Sequence, residues 1–371
     1  MKTIPRFAAG FLLSVFLIFL STKSFSQPTG KVQVGAYYFN GWTSYPDPHI
    51  VNTALTTNYP ERQSKWGWIT STPDIMRQQI DLAADAGLSF FSFCWYYRNA
   101  KTFAIGDPFN QAVNLFMSAP NSNRLKFNVM VANHQGFIIG PDEWSTVVPA
   151  WIQLFKNPNY LQVNGKPYIV FFSVATLLQK FGSPEAVKKA LGELRAAAIQ
   201  AGLNGVSVGA CVPPNADDLK KAEACGFDIF TAYNYHEIGF KPKPQVPNSP
   251  AYPTRAIPVT SLLNSDTLAW NRIVQLSHKP YVPAATLSFD PRPWADNENH
   301  YDTAPYYVGY SPKTAFATVR NLVNWLNQHP DKATAERIGV VYAWNEYGEG
   351  AWLTPSAVMN PLDGVKKAIL K

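Results

Sequence analysis

Val340-Val341-Tyr342-Ala343-Trp344-Asn345-Glu346-Tyr347-Gly348-Glu349-Gly350 is the stretch on which the fold turns. Its apolar, β-branched and aromatic start reads as a buried parallel strand. Two carboxylates follow where that strand should stop. Burying a carboxylate costs several kcal/mol unless it is paired or hydrogen-bonded, so two of them at the lip of a core strand point to chemistry.

Seven further runs of the same kind precede it: 32–39, 88–95, 126–132, 168–172, 206–211, 227–233 and 281–287, with 338–344 as the eighth. Helix-like segments alternate with them. Thr72 as N-cap and Pro73 at the first helical position open a helix that closes at Gly87. Ser183-Pro184 opens another that runs to about Ala201, and Ser311-Pro312 a third that ends near Gln328. Strands alternating with helices imply a parallel sheet. Eight such units predict a single α/β domain, a (β/α)8 TIM barrel over 27–371 with long βα loops. The alternative, an open doubly wound sheet, lacks a Gly-x-Gly-x-x-Gly after the first strand.

The connections are asymmetric. Helix-to-strand links are short, whereas 40–72, 234–263 and 288–310 are long strand-to-helix loops. Long ordered loops are usually functional, and in a barrel they build the C-terminal face, where active sites sit. These loops carry Trp42, Tyr45, Trp66, Trp68, Tyr252, Trp294, Tyr306 and Tyr307. Rings that stack on C–H faces, beside polar groups that bind hydroxyls, suit sugars.

Residues 1–26 read as a signal peptide: Lys2 and Arg6, an apolar stretch from Phe7 to Leu20, then Ser24-Phe25-Ser26. The apolar stretch is short for a membrane span. The expectation is an exported protein, periplasmic or extracellular, with no stable membrane insertion after cleavage. The net charge is +7, and losing Lys2, Arg6 and Lys23 lowers it by three to +4. The remaining basic residues are scattered, which argues against nucleic acid. Cys94, Cys211 and Cys225 form no disulfide framework, although one bridge is open to them. The sequence leaves the oligomeric state undetermined.

Strand ends supply the candidate site. Tyr38 closes the first strand, Trp95 the second, His134 follows the third, and Tyr233 and His236 follow the sixth. Asp290, Arg292 and Trp294 follow the seventh, with a salt bridge or loop clamp as the simpler reading of the first two. Asn345 sits beside Glu346. Strand alternation puts Tyr342, Trp344 and Glu346 on one face, and the Tyr347-Gly348 turn brings Glu349 back. Paired carboxylates are the usual machinery for breaking glycosidic bonds. Glu346 and Glu349 are therefore the catalytic candidates, and Tyr38, Trp95, His134, Tyr233, His236, Asp290, Arg292, Trp294 and Asn345 are the candidates for binding substrate.

Trp344-Asn345-Glu346-Tyr347-Gly348-Glu349-Gly350-Ala351-Trp352-Leu353-Thr354-Pro355 resembles the last-strand signature of the glycoside hydrolase family 99-like proteins. These include bacterial WbsX-type proteins and, more distantly, endo-α-mannosidases. Tyr37 to Trp42 and Phe93 to Tyr96 resemble their first and second strand ends. The resemblance implies a (β/α)8 barrel acting on α-linked oligo- or polysaccharide, such as α-mannan, with no metal and no cofactor. It implies Glu346 as the base that deprotonates the substrate 2-hydroxyl, which then attacks its own anomeric carbon. It implies Glu349 as general acid, then base. Tyr347, Gly348 and Thr354 depart from the family pattern, which has Trp, His (in the endo-α-mannosidases) and often an acid there. Tyr347-Gly348-Glu349 is also similar to the family 71 α-1,3-glucanases. A glycan-binding protein on a hydrolase barrel, and a polysaccharide-assembly transferase, are the readings from other classes.

Overall fold

A computed structural model describes residue 1 and residues 30–44, 47, 49–104, 106–240, 254–296 and 299–370. The expected signal peptide, apart from Met1, and the loop residues Tyr45 and Tyr252 lie outside the described residues.

Eight parallel strands form the core: β1 (Gln33–Tyr38), β2 (Phe90–Trp95), β3 (Lys126–Val131), β4 (Lys166–Phe171), β5 (Ser207–Cys211), β6 (Ile229–Thr231), β7 (Ala284–Thr286) and β8 (Ile338–Tyr342). Each falls within a run expected to be a strand, except that β4 begins two residues early. Their order is β6-β5-β4-β3-β2-β1-β8-β7. The first strand thus lies between the second and the eighth, as a barrel requires and as an open doubly wound sheet does not. The ring closes between β6 and β7 through two backbone bonds. Phe230 donates its N–H to Pro280 (3.0 Å), and Val282 donates to Phe230 (2.8 Å).

Helices α1 (Pro73–Asp85), α2 (Gln111–Ser118), α3 (Pro141–Phe155), α4 (Pro184–Gln200), α5 (Ala216–Ala224), α6 (Ser261–Leu276), α7 (Pro312–Gln328) and α8 (Leu362–Leu370) follow the strands in turn. The caps read from the sequence are formed. Thr72, Ser183 and Ser311 each accept a hydrogen bond from a first-turn N–H, satisfying donors that a helix start leaves open.

Side-chain parity sorts the barrel. In β1, Tyr37 points inward and its hydroxyl donates to the Ala232 carbonyl across the interior (2.8 Å). Gly35 leaves room inside for Phe90, whose ring lies 2.3 Å from where a Cβ would stand. The neighbours of opposite parity face the helices. Tyr38 packs on Phe91 and Phe93 (5.4 and 4.8 Å between centroids). Trp95 packs edge-on against Trp151 of α3 (5.5 Å). Tyr38 and Trp95 were expected to bind substrate, and the structure corrects both: period-two alternation sends them to the outer layer.

Candidate active site

After Tyr342 the chain leaves the strand, so alternation ends there. The Trp344 indole points outward and donates to Gln79 of α1 (2.6 Å), instead of sharing a face with Glu346 as expected. Residues 345–346 then pair antiparallel with 351–352. The Glu349 N–H donates to the Glu346 carbonyl (3.2 Å), closing a tight turn. Asn345 anchors this hairpin to β1: its Oδ1 accepts from Phe39 N–H (2.7 Å) and its Nδ2 donates to the Phe39 carbonyl (2.9 Å). It is buried in that clamp and does not line the cleft, which corrects its expected contact with substrate.

The hairpin places Glu346 and Glu349 at a cavity of about 910 Å³ on the C-terminal face. His134, Tyr233, His236 and Trp294 line the same cavity, so the structure brings these four together with the carboxylate pair. Asp290 and Arg292 do not line it. Asp290 is buried between two guanidinium groups, accepting from Arg62 (2.5 Å) and from Arg292 Nε (2.7 Å). Arg62 also donates to the Tyr347 carbonyl (3.2 Å), and Asp290 N–H donates to the Glu349 carbonyl (2.6 Å). The pair is the loop clamp that was the simpler reading, and it supports the turn from behind.

Each carboxylate has one tyrosine donor. The Tyr233 hydroxyl donates to Glu346 Oε1, and the Tyr342 hydroxyl donates to Glu349 Oε2. The two phenol rings meet edge-on at 4.8 Å. Glu346 Oε2 is buried and has no hydrogen-bond partner among the described residues. Burial, then the nearby Glu349, hold the Glu346 carboxyl well above its ordinary value, against the lowering effect of Tyr233. Burial pushes Glu349 up to about 7, against the lowering effect of Tyr342. Two carboxyls that resist ionising together near neutral pH can hold one proton between them, the state needed for paired acid and base.

At His134 and His236 burial favours the neutral imidazole. Burial lowers His134 and pushes His236 down to about 4. His134 Nδ1 lies 3.0 Å from the Gln135 carbonyl. A carbonyl can only accept, so Nδ1 carries the proton and Nε2 is an acceptor. His236 stacks on Phe289 at 3.7 Å.

Sequence reasoning missed Arg62, Tyr342 as a donor, and the apolar lining at Cys94, Met130 and Cys211. Parity would have found the last three, because they continue the inward registers of β2, β3 and β5. The three cysteines are all free, so the bridge left open by the sequence is not made. Among the described residues no group of three or more His, Cys, Asp or Glu is placed to hold a metal, and no helix is long and apolar enough to cross a membrane.

Comparison with known proteins agrees with this architecture. The model of the family described as Glycosyltransferase WbsX matches residues 63–361. The chain belongs to the WbsX family. WxcX of Xanthomonas campestris pv. campestris, described as uncharacterized, is 25% identical over 332 residues, covering 81% of this chain and 42% of its own. The chain thus spans about two fifths of that relative. Among solved structures, the family 99 endo-α-mannosidase from Bacteroides thetaiotaomicron aligns with a TM-score of 0.59 at 12% identity, over 91% of this chain and 96% of the other. A glycoside hydrolase-like protein aligns with a TM-score of 0.59 at 14% identity, over 93% and 95%. At such identities the likeness is one of fold, a barrel of the glycoside hydrolase type, and function must be argued from the site.

Proposed function

We propose that this chain is an exported glycoside hydrolase that cleaves α-linked glycans with retention, using Glu346 and Glu349. The observation that carries the reading is the pair itself: two carboxyls in one turn at the cleft, each fixed by its own tyrosine hydroxyl and each raised above its ordinary value. The endo-α-mannosidase that shares the fold supports α-mannan as the first substrate to try. Family 71-like α-1,3-glucan is the second.

Glu349, protonated, gives its proton to the glycosidic oxygen as the bond to the anomeric carbon breaks. Glu346 supplies the electrons on the other side. Its unpartnered Oε2 either takes the proton of the 2-hydroxyl, whose oxygen then closes on the anomeric carbon, or attacks that carbon itself. Ionised Glu349 next takes a proton from water as the oxygen of that water attacks the anomeric carbon, breaking the bond to O2, which recovers its proton from Glu346, or the bond to the Glu346 carboxylate. The family's description as a glycosyltransferase raises one further possibility for this second step: a sugar hydroxyl could take the place of water.

The test is product release from a panel of α-mannans, α-glucans and other α-linked polysaccharides, with wild type and Glu346→Gln side by side, and a nucleotide-sugar arm for transfer. Sugar released by wild type alone supports the hydrolase. Transfer from a nucleotide sugar, or saturable glycan binding by both proteins without release, would replace it. A 2-deoxy substrate separates the two routes, since only direct attack by Glu346 survives loss of the 2-hydroxyl.

A further inference from the structure

One wall of the cavity is almost wholly apolar. In the strand order, β4 stands four places from β8 in either direction, so the β3–β5 sector lies across the mouth from the carboxylate turn. That sector contributes Met130, Phe137, Phe172, Cys211, Val212 and Pro213 to the lining. The Cys211 thiol lies 3.9 Å from the Met130 sulfur. Phe172 packs edge-on against Tyr233 (5.7 Å), the tyrosine that donates to Glu346, so the apolar wall reaches the reacting pair. His134 is the one imidazole on this side, held between Phe137 and Phe172 (5.1 and 5.8 Å). It offers a single acceptor nitrogen. Of the other polar side chains in the lining, Tyr233, Asn234, His236 and Glu237 lie on the β6 side, Asp47 and His49 on the loop after β1, Tyr96 at the end of β2, and Asn299 and Tyr301 on the loop after β7.

A pyranose ring placed for the chemistry above has C1 and C2 at Glu349 and Glu346. C5 and its C6 substituent lie opposite C2 across the ring. They therefore face the β3–β5 wall, which has no hydrogen-bonding pair to offer a primary hydroxyl. A hydroxyl buried there leaves its water partners without replacement, whereas a methyl group gains by burial.

We propose that the sugar held at Glu346 and Glu349 is a 6-deoxyhexose, whose C6 methyl packs on the wall formed by Met130, Phe172, Cys211 and Val212. The placement of C1 and C2 rests on the hydrolase reading, and the test is built to fail separately from it.

Glu346→Gln protein is titrated by calorimetry with matched α-linked disaccharides that differ only at C6: D-rhamnose against D-mannose, and D-fucose against D-galactose. The expected result is binding at least about tenfold tighter for the deoxy member of one pair, the scale on which apolar pockets discriminate by one small group. Met130→Gln, of similar length, should lose most of that preference while keeping its melting temperature. Cys211→Ser makes the same test if that variant does not fold. Equal or weaker binding of both deoxy sugars overturns the proposal, as does no binding of any of the four. A deoxy preference in binding with no hydrolysis by wild type would leave this inference standing and remove the hydrolase. Hydrolysis without a deoxy preference would do the reverse.

Discussion

A Cβ on Gly348 would stand 1.9 Å from Cε2 of Trp294. No real contact is that short, so the indole occupies the space that a side chain between the two carboxylates would need. Trp294 is held there by donating Nε1–H to the Ile50 carbonyl (3.3 Å) and by packing on Phe39 (5.8 Å). The glycine that looked like a departure in the motif is one half of a fitted pair. Tyr347 and Thr354 form another, buried and hydrogen-bonded to each other at 2.9 Å.

Gly348→Ala should therefore push the indole or the turn aside. Overpacking of this kind costs about 1–3 kcal/mol, and kcat/KM should fall at least about tenfold because the turn carries both carboxylates. Trp294→Ala restores the room, so the double variant should lose less than the sum of the singles. Strictly additive losses in thermal unfolding and in rate would mean that the two residues act independently.

Removing one tyrosine donor should shift the pH profile in a stated direction. A hydrogen bond to a carboxylate favours its charged form. Tyr342→Phe should then raise Glu349 further above about 7, and the alkaline limb of kcat/KM should move to higher pH. Tyr233→Phe should raise Glu346 and carry the acid limb upward, so that activity is lost more at pH 6 than at pH 8. Unmoved limbs in both variants would sink the assignment of acid and base.

The same shifts bear on stability. Glu349 in the folded protein binds its proton more tightly than the ordinary value of 4.5 allows. Its favourable contribution is fully present below that pH and is lost as pH rises through about 7. Glu349→Gln cannot ionise. Its stability relative to wild type should rise between pH 4.5 and pH 8.5 by on the order of 2–3 kcal/mol, read from urea unfolding at the two pH values. A difference that stays flat with pH would show that burial does not oppose ionisation of this carboxyl.

The eight strands, the helix caps and the carboxylate turn were legible because each is written locally, in periodicity, Ser/Thr-Pro pairs and a short motif. The errors at Tyr38 and Trp95 came from weighing residue type at strand ends above parity along the strand, and the error at Trp344 from carrying parity past the strand's end. Parity was available, and it would have sent Tyr38 and Trp95 outward and found Met130. Trp344 lies beyond the strand, where parity no longer holds. Arg62 had no such trace. Its partner Asp290 is 228 positions away, and nothing in the flanking residues of either announces the other.

That clamp yields the sharpest stability prediction. Arg62 is 4% exposed and Asp290 is 5% exposed, and burial lowers the Arg62 value against the raising effect of Asp290. Asp290→Ala leaves a buried guanidinium with backbone carbonyls and the exposed, more distant Glu61 (3.7 Å), and breaking a buried pair from one side costs about 3–5 kcal/mol. Arg62→Met alone leaves Asp290 its half-exposed partner Arg292, and should cost less. The double variant Arg62→Met/Asp290→Ala should recover part of the loss, because no uncompensated charge remains inside. The Asp290 N–H that holds the Glu349 carbonyl belongs to the same loop. Activity of Asp290→Ala should therefore fall at temperatures well below its melting point, whereas equal activity per folded molecule would show that the clamp secures the barrel rim without positioning Glu349.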